Sequence, residues 1–402
     1  MSDLPTKDLH PDTLAARYAV DSDSSHGAVI PPLYMSSTFS FHGFGEKRSY
    51  DYTRSGNPTR DQLAEALAAR EGGTGGVITA SGMSAVHLVT QLVKPGELIV
   101  APHDCYGGCH RLFSAAARRG LFELQWLPLW ETVDSAARIA ELTPRIVWIE
   151  TPSNPLLRIT DIQAIAEAAH AAGALVVVDN TFLSPAGQRP FELGADIVLH
   201  STTKYINGHS DVVGGAVLAK DGALVEELAW WANCLGLTGS PFDSYQTLRG
   251  LRTLSVRYRQ HAENAALVAD FLAAHDSVAK VYYPGLRSHP GHAVAQRQQQ
   301  SFGAMISFEI DASQDEIPLF LDALQLFTLA ESLGGVESLV AHPASMTHAA
   351  MSEADQAAAG ITPRLLRLSV GIEHAGDLLA DLEGAFAALQ RSRAGGKVRS
   401  IA

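Results

Sequence analysis

The sequence predicts an α/β protein with a mainly parallel sheet, followed by a smaller α+β domain. Between residues 75 and about 220, short continuous apolar runs alternate with amphipathic stretches. Continuous apolar strands separated by helices are typical of parallel sheets that helices cover on both faces. After about residue 225 the pattern changes, and helical segments precede two further strand candidates. A chain of 402 residues is long enough for two or three domains.

The first 55 residues are irregular and polar, and they contain a proline pair and a segment rich in Gly and Phe. Such an arm needs a surface to lie against, for example another subunit. A helix is predicted to begin at Asn57 and Pro58, because Asn is a favoured N-cap and Pro suits the first turn. Leu63 and Leu67 then fall one turn apart on one face of this helix.

Six strands are predicted in the alternating region, at residues 77–80, 98–101, 124–127, 146–150, 174–178 and 197–200. The amphipathic stretches between them predict helices at 84–93 and 161–172, and Gly173 ends the second of these. Further along, the pattern predicts helices at 245–253, 261–274 and 375–390 and strands at 304–309 and 365–370. We expect residues 391–402 to form a loose tail.

Composition excludes several classes of function. With 46% hydrophobic and 18% charged residues, the chain is typical of folded globular proteins. A net charge of −13 argues against binding to nucleic acid or to anionic membranes. The N-terminal residues lack the apolar core of a secretory signal, and no apolar run approaches the ~20 residues that span a bilayer. Three cysteines without a CxxC pair and histidines without ligand spacing predict neither disulfides nor a metal site, so we expect a cytoplasmic protein.

The most informative stretch is residues 201–209, because it places Lys204 directly after a predicted buried strand. Ser201 and Thr203 supply hydroxyl groups beside this amine. An amine can form a Schiff base while the hydroxyls hold a phosphate, and pyridoxal 5'-phosphate needs both, together with an acidic partner for its ring nitrogen. For the motif alone, a surface lysine in a polar turn is the alternative.

Asp179, at the end of the predicted strand 174–178, is the candidate for that acidic partner. In parallel sheets, ligands bind beyond the carboxyl ends of the strands, and Asp179 and Lys204 both follow such ends. A carboxylate ~3 Å from a pyridinium nitrogen gains roughly 5 kcal/mol at an effective dielectric of 20, which is about four pKa units. The alternative role for Asp179 is to cap the turn that it begins.

Other segments offer phosphate and ring contacts. Ser81, Gly82 and Met83 follow a predicted strand and open a helix, where backbone N–H groups suit a phosphate, although a plain strand-to-helix turn has the same pattern. Tyr106 lies in a loop after the predicted strand 98–101. Its ring is suited to stack on the cofactor and to exchange a proton with substrate, and packing against the core is the alternative.

Two segments supply arginines for anions. Residues 51–60 combine Tyr52 with two arginines before a helix, and arginine binds phosphate or carboxylate in a bidentate manner. A solvated, charged arm is the alternative. Arg367 lies within the apolar strand candidate 365–370, and a buried arginine needs an anion. A substrate α-carboxylate or a structural aspartate would serve.

Together these motifs resemble the Cys/Met-metabolism family of pyridoxal-phosphate enzymes, from about residue 28 to 387. ETPSNP at 150–155, VDNTF at 178–182 and LAESLGG at 329–335 extend the resemblance. It implies an aspartate-aminotransferase-like, fold-type I architecture with a seven-stranded sheet, in a homotetramer built from two dimers. It also implies an arm over residues 1–55 that reaches a neighbouring subunit, a cofactor-binding domain over 56–258 and a C-terminal α+β domain over 259–402.

The resemblance further implies a role for each site residue. Lys204 holds the cofactor aldehyde and shuttles protons, Asp179 faces the ring nitrogen and Tyr106 stacks on the ring. The other implied cofactor contacts are Ser81, Gly82, Met83, Thr181, Ser201 and Thr203, with Tyr52 and Arg54 reaching an adjacent subunit. The implied substrate contacts are Asp51, Tyr52, Ser55, Arg111, Asn154, Asn233, Glu331, Ser332 and Arg367. Among these, Arg367, Asn154 and Ser332 bind the α-carboxylate, and Arg111 and Glu331 shape the distal pocket.

Within the family, residues 104–108, 228–233 and 327–331 resemble the branch that forms cystathionine. This implies γ-replacement that joins L-cysteine to an O-acylhomoserine, first of all O-succinyl-L-homoserine, to give L-cystathionine and succinate. Ser55, where some members of that branch have a second arginine, and residues 288–290 resemble the branch that cleaves cystathionine to cysteine, 2-oxobutyrate and ammonia. That γ-elimination is the nearest alternative. A catalytically silent binding protein of the same fold is an alternative of another class, against which Lys204 and Asp179 argue.

Overall fold

A seven-stranded sheet organises the first part of the chain in the computed structural model, which describes residues 9–349 and 351–399. The chain divides into two units. The first comprises the chain up to Thr151 together with Thr160–Val256, and the second comprises Pro152–Ile159 and the chain from Arg257 onward. The second unit thus takes in a short segment, Pro152–Ile159, that no sequence signal assigns to it.

The helices of the first unit are α1 (Pro11–Arg17), α2 (Pro58–Glu71), α3 (Gly82–Thr90), α4 (Gly107–Arg118), α5 (Thr132–Leu142), α6 (Ile162–Ala171), α7 (Ser184–Gly187), α8 (Gly222–Leu235) and α9 (Pro241–Leu251), with a 3-10 helix at Pro190–Leu193. Its strands are β1 (Gly75–Thr79), β2 (Leu98–Pro102), β3 (Glu123–Leu127), β4 (Ile146–Glu150), β5 (Leu175–Asp179), β6 (Ile197–His200) and β7 (Gly215–Ala219). The strand order is β1-β7-β6-β5-β4-β2-β3. β7 runs antiparallel to both of its neighbours, and the remaining neighbours pair in parallel. The predicted mainly parallel, seven-stranded sheet is therefore confirmed.

All six strands predicted for this sheet are present, and their ends differ from the predicted ones by at most two residues. The seventh, β7, escaped prediction because it begins in a glycine pair, and glycine is depleted in strands. The predicted start of α2 is confirmed. Asn57 Oδ1 accepts hydrogen bonds from the backbone N–H groups of Thr59 and Arg60 at 2.9 and 3.4 Å. Leu63 and Leu67 are both fully buried.

The second unit is α+β, as predicted. Its helices are α10 (Leu254–Ala274, which begins in the first unit), α11 (His292–Gln298), α12 (Ile317–Ala323), α13 (Glu353–Ala359) and α14 (Ala375–Arg399), with a 3-10 helix at Gln314–Glu316. Its strands are β8 (Val278–Tyr282), β9 (Met305–Ile310), β10 (Thr328–Leu329), β11 (Leu339–Ala341) and β12 (Leu365–Ser369). They form a sheet in the order β10-β11-β12-β9-β8, in which only β10 and β11 pair in parallel. β12 is therefore the central strand, and its residues are buried.

Two sequence-based expectations about the C-terminal part need correction or completion. Helix α14 continues to Arg399, so the prediction of a loose tail is wrong for residues 391–399, and residues 400–402 lie outside the described part of the chain. Strands β8, β10 and β11 were not predicted, because their residues are partly exposed or very few. No helix in the described ranges is both long and apolar enough to cross a membrane.

Candidate active site

The carboxyl ends of β5 and β6 bring predicted cofactor residues together. The two strands are parallel neighbours, and Asp179, the last residue of β5, lies opposite Leu199 of β6. Beyond the strands, the Asn180 N–H donates to Leu199 O at 3.0 Å and the Ser201 N–H donates to Thr181 Oγ1 at 2.9 Å. These bonds join the turn after β5 to the turn after β6. The structure therefore unites Asp179, Thr181 and Ser201, as strand order at a parallel sheet edge predicts.

Asp179 presents an oriented carboxyl group. Its Oδ1 accepts a hydrogen bond from the Thr181 N–H at 3.0 Å, so the predicted turn-capping alternative is also realised. Burial raises the pKa of Asp179, whereas the hydrogen bonds of Thr181 and the charge of His200 act in the opposite direction. A buried carboxyl whose pKa is raised is suited to a cationic ligand, because a nearby positive charge restores its ionised form. A protonated ring nitrogen would be such a ligand.

The N-terminus of α3 forms a cradle beside Ser201. Ser81 caps the helix, and its Oγ accepts from the Ser84 N–H at 3.0 Å. A Cβ atom at Gly82 would lie only 2.8 Å from Ser201 Cβ and 3.0 Å from Ser201 Oγ, so only glycine permits this approach. The Ser201 hydroxyl therefore sits against the first turn of a nine-residue helix. Backbone N–H groups and a serine hydroxyl at a helix N-terminus suit a phosphate.

Lys204 lies in the turn that follows β6 and is half-buried. Its N–H donates to Ser201 O at 3.3 Å, and its carbonyl accepts from the Gly208 N–H at 2.8 Å. Thr203 is engaged with a different segment. Its hydroxyl donates to Gly214 O at 3.2 Å and accepts from the Gly214 N–H at 3.0 Å. A role of Thr203 toward a phosphate stays a prediction, since the hydroxyl proton is directed to Gly214.

Tyr106 is held by its backbone and has 44% of its surface exposed. Its N–H donates to Glu150 Oε2 at 2.7 Å, and Glu150 is the last residue of β4. A Cβ atom at Gly108 would lie 2.6 Å from Tyr106 Cε1 and 2.8 Å from Met83 Sδ, so the tyrosine ring and the methionine converge on this glycine. An exposed ring disfavours the alternative in which Tyr106 only fills the core.

Five predicted residues form a second cluster, which we call the arm cluster: Asp51, Tyr52, Arg54, Ser55 and Asn233. Asp51 Oδ1 accepts from the Tyr52 N–H at 2.7 Å and from Ser55 Oγ at 2.8 Å. The Ser55 bond is the main reason why the pKa of Asp51 lies below its usual value. Arg54 Nη1 donates to Asn233 O at 2.8 Å and to Asn233 Oδ1 at 2.7 Å, and its guanidinium lies 5.6 Å from the Tyr52 ring centroid.

In the second unit, Arg367 of β12 meets Asn154 and Ser332. Its Nη1 donates to Asn154 Oδ1 at 2.7 Å and its Nη2 donates to Ser332 O at 3.1 Å. Arg367 and Asn154 are 2% and 3% exposed, respectively. Both acceptors are neutral oxygens, so these bonds orient the guanidinium without neutralising its charge. The structure thus brings together the three residues to which the resemblance assigns the α-carboxylate.

The two residues predicted for the distal pocket are exposed. Arg111 lies on α4, in the first unit. Glu331 follows β10, in the second unit. Their roles toward substrate stay predictions.

Sequence reasoning missed Glu150 and a buried group around Glu71. Glu150 carried a usable signal, because it ends an apolar strand as Asp179 does and lies opposite Asp179 in the sheet register. Glu71 is the last residue of α2 and carried no such signal. Its Oε1 lies 2.6 Å from His200 Nε2 and accepts from Asn180 Nδ2 at 2.9 Å. Across the residues that the structure describes, no group of three or more His, Cys, Asp or Glu side chains could hold a metal ion.

Comparison with known proteins identifies the family. The family model described as Cys/Met metabolism PLP-dependent enzyme matches residues 12–387. The chain belongs to this family. Fold-type I architecture and pyridoxal 5'-phosphate as the cofactor follow from this membership. The residues present fit the cofactor, since the close approach of Gly82 and Ser201 suits a phosphate and the buried carboxyl of Asp179 suits a protonated ring nitrogen.

Three similar proteins illustrate the range of the family. The cystathionine gamma-synthase of Escherichia coli (strain K12) is 54% identical over 380 residues, which cover 94% of this chain and 98% of the relative. A crystal structure of cystathionine gamma synthase from Xanthomonas oryzae pv. oryzae in complex with cystathionine is 60% identical, with a TM-score of 0.94, and covers 95% of this chain and 99% of that chain. The cystathionine gamma-lyase of Dictyostelium discoideum is 45% identical over 366 residues, or 91% of this chain and 94% of the relative. The chain is therefore an enzyme of the cystathionine synthase and lyase family.

Proposed function

We propose that this enzyme is a cystathionine γ-synthase, which joins L-cysteine to O-succinyl-L-homoserine to form L-cystathionine and succinate. The observation that carries the proposal is the higher identity with two synthases, 54% and 60%, than with a γ-lyase, 45%. The proposal also rests on the buried guanidinium of Arg367, which suits an amino-acid carboxylate. Methionine biosynthesis is the proposed context of the reaction, and the cytoplasm is its proposed location.

Substrate orientation is proposed to begin at Arg367. Its hydrogen bonds to Asn154 Oδ1 and Ser332 O fix the plane of the guanidinium in a buried strand. A guanidinium held in one plane loses little freedom when it receives a carboxylate in a bidentate manner. The α-carboxylate of the substrate would bind there as a bidentate partner of the guanidinium.

Lys204, Asp179 and Tyr106 are proposed to carry the chemistry. Bound pyridoxal phosphate supplies an aldehyde for the substrate amine and an electron-poor ring that stabilises negative charge at the adjacent carbon. Lys204 then removes the proton from substrate Cα and moves a proton at Cβ. Succinate leaves from Cγ, the cysteine thiolate forms the new C–S bond at that carbon, and Lys204 returns the protons to Cβ and Cα. Asp179 would keep the ring nitrogen protonated, and Tyr106, of which 44% of the surface is exposed, would exchange a proton with the substrate.

Two exposed charged side chains are proposed to bind the distal groups of the substrates. Arg111 would attract the succinyl carboxylate, and Glu331 would attract the ammonium group of the incoming cysteine. The Ser55 hydroxyl is bonded to Asp51 and to the Tyr52 carbonyl, so it offers the acyl carboxylate no charge. This is the specific observation that favours the second candidate, a cystathionine γ-lyase, which does not bind an acyl carboxylate.

The deciding experiment incubates the purified holoenzyme with O-succinyl-L-homoserine, with and without cysteine, and identifies the products. Cystathionine and succinate in the presence of cysteine support the synthase. Cleavage of added cystathionine to cysteine, 2-oxobutyrate and ammonia, without any synthesis, would replace the proposal by the lyase. A protein without a borohydride-reducible visible chromophore would instead be a silent relative. O-acetyl-L-homoserine as a parallel donor tests the choice of acyl group.

We further propose that the enzyme is a homotetramer in which the arm cluster serves a neighbouring subunit. In the N-terminal arm, Val29, Met35, Phe41 and Phe44 are exposed apolar side chains within a short stretch of chain. Exposure of these apolar side chains to water is unfavourable, so we expect another copy of the chain to bury them. Light scattering of the purified protein should give a mass near four times 42.9 kDa. A monomer at micromolar concentration would contradict this assembly.

A further inference from the structure

A buried hydrogen-bonded group lies directly behind the cofactor residues of β5 and β6. We call Glu71, His200, Asn180 and Gln188 the Glu71 network, and all four are fully buried. Glu71 Oε1 lies 2.6 Å from His200 Nε2 and accepts from Asn180 Nδ2 at 2.9 Å. Asn180 Nδ2 also donates to Gln188 O at 2.9 Å, and Asn180 Oδ1 accepts from Gln188 Nε2 at 3.1 Å. The orientation of the Asn180 amide is therefore determined at both of its ends.

The position of Glu71 is unfavourable for a carboxylate in two respects. It is the last residue of α2, where the helix macrodipole is negative and repels a negative charge. It is also fully buried, and removing a carboxylate from water costs free energy that hydrogen bonds offset only in part. Among residues 9–349 and 351–399, Glu71 Oε2 and His200 Nδ1 find no hydrogen-bond partner, so the two side chains satisfy each other only in part. A contribution to the stability of the fold therefore explains the presence of the Glu71 network poorly.

The residues next to the Glu71 network in the chain explain its presence better. Asn180 follows Asp179 in the chain, and His200 precedes Ser201. One carboxylate thus connects the residue next to the proposed ring partner with the residue next to the proposed phosphate ligand. We propose that Glu71 is a positioning residue of the cofactor site, which acts through Asn180 and His200 on Asp179 and Ser201. The inference rests on the proposed role of Asp179, but it does not depend on which cystathionine reaction the enzyme performs.

The test measures cofactor binding in Glu71→Gln protein. Glutamine keeps the shape of the side chain and can still accept from His200 Nε2, but it removes the negative charge, so the hydrogen bond to His200 becomes weaker. We expect about tenfold weaker binding when pyridoxal phosphate is titrated into the full-length protein freed of cofactor, because one charge-assisted hydrogen bond no longer holds the site. We also expect an altered visible circular dichroism band of the holoenzyme, since this band reports how the bound ring is oriented.

Arg70→Met is the matched control. Arg70 is the adjacent residue of α2 and is also buried, but its Nη2 donates to Asp12 Oδ1 at 2.9 Å and to Ser255 Oγ at 3.2 Å. This variant should lower the thermal unfolding temperature and leave cofactor affinity and the dichroism band as in the original protein. If Glu71→Gln behaves in the same way as Arg70→Met, the network is only structural and the inference is wrong. Should Glu71→Gln protein be insoluble, His200→Gln carries the same expectation, because it removes the same contact from the strand side.

The Asp179→Asn variant distinguishes a failure of the proposed cofactor site from a failure of the inference about Glu71. It must weaken cofactor binding if Asp179 has its proposed role. If Asp179→Asn binds cofactor normally, the proposed site fails together with the inference. If Asp179→Asn weakens binding and Glu71→Gln does not, only the inference about Glu71 fails.

Discussion

Replacing Arg367 by lysine keeps the positive charge but removes the planar guanidinium, which donates through two Nη atoms. In the structure, two nitrogens of the guanidinium bind Asn154 Oδ1 and Ser332 O at 2.7 and 3.1 Å. A single ammonium group holds at most one of these acceptors in the same place. A hydrogen bond from a charged donor contributes about 1.5–3 kcal/mol, so the variant should lose roughly that free energy of unfolding. Ser332 has a φ of 86° and is not glycine, so its conformation depends on bonds such as this one.

The Arg367→Lys variant should also lose a similar amount of substrate binding free energy. A bidentate pair between arginine and carboxylate becomes a single contact, and a loss of about 1.4–2.8 kcal/mol corresponds to a 10- to 100-fold change. The α-carboxylate keeps its charge throughout the reaction, so the interaction contributes equally to the ground state and the transition state. We therefore expect the KM for O-succinyl-L-homoserine to rise 10- to 100-fold while kcat changes much less.

The assay follows cystathionine formation at varied donor concentration, and urea unfolding reports stability. Arg364→Lys is the control, because Arg364 is 44% exposed and makes a long ion pair of 3.7 Å with Glu309. Exposed pairs of this kind contribute at most ~1 kcal/mol. If Arg367→Lys retains the KM and the stability of Arg364→Lys, the assignment of the α-carboxylate to Arg367 is refuted.

Three further predictions concern the proposed base, a carboxylate that accepts from three backbone N–H groups, and a buried histidine. Lys204→Ala should lose the visible cofactor band and reduce cystathionine formation about 10³-fold or more, because no other group is proposed to move the Cα proton. Asp381 accepts from the N–H groups of Gln325, Leu326 and Phe327 at 2.7, 2.9 and 3.0 Å, and this backbone leads into β10. Asp381→Asn should therefore lower the unfolding free energy by roughly 1.5–3 kcal/mol in urea titrations. Burial lowers the pKa of His261 to about 4 from 6.5, so the unfolded chain binds a proton between these pH values that the folded chain does not. Stability should fall by up to roughly 3 kcal/mol as the pH drops from 6.5 to 4, and His261→Gln should flatten this slope in unfolding measurements.

Each of these expectations can fail in a distinct way. Normal turnover by Lys204→Ala would remove the proposed base. Unchanged urea unfolding of Asp381→Asn would mean that the three backbone bonds contribute no net stability. An equal pH slope for His261→Gln and the original protein would assign the acid sensitivity to other groups. His289 is the first of these to test, since burial lowers its pKa to about 4 as well.

The positions of residues relative to apolar strands in the sequence explain which parts of the site could be predicted. Asp179 ends one apolar strand and Ser201 follows the next, and parallel strands place such ends at one edge of the sheet. The same argument extends to Glu150, although its contact with Tyr106 was not foreseen. The sequence predicts an anion at Arg367 because this charged residue interrupts an apolar run. Its partner Asn154 lies 213 residues away, and the family resemblance rather than any periodicity pointed to that pair.

By itself, the sequence determined the α/β class, the six apolar strands and the place of Lys204 and Asp179 after two of them. These features depend on burial patterns and chain order, which are properties of short segments. The tertiary structure alone decided that β7 enters the sheet antiparallel between β1 and β6. It alone decided that Glu71 meets His200 and Asn180, from which 129 and 109 residues separate it in the chain. Such contacts arise where distant parts of the chain return to one place, and no local pattern specifies a partner that only packing brings near.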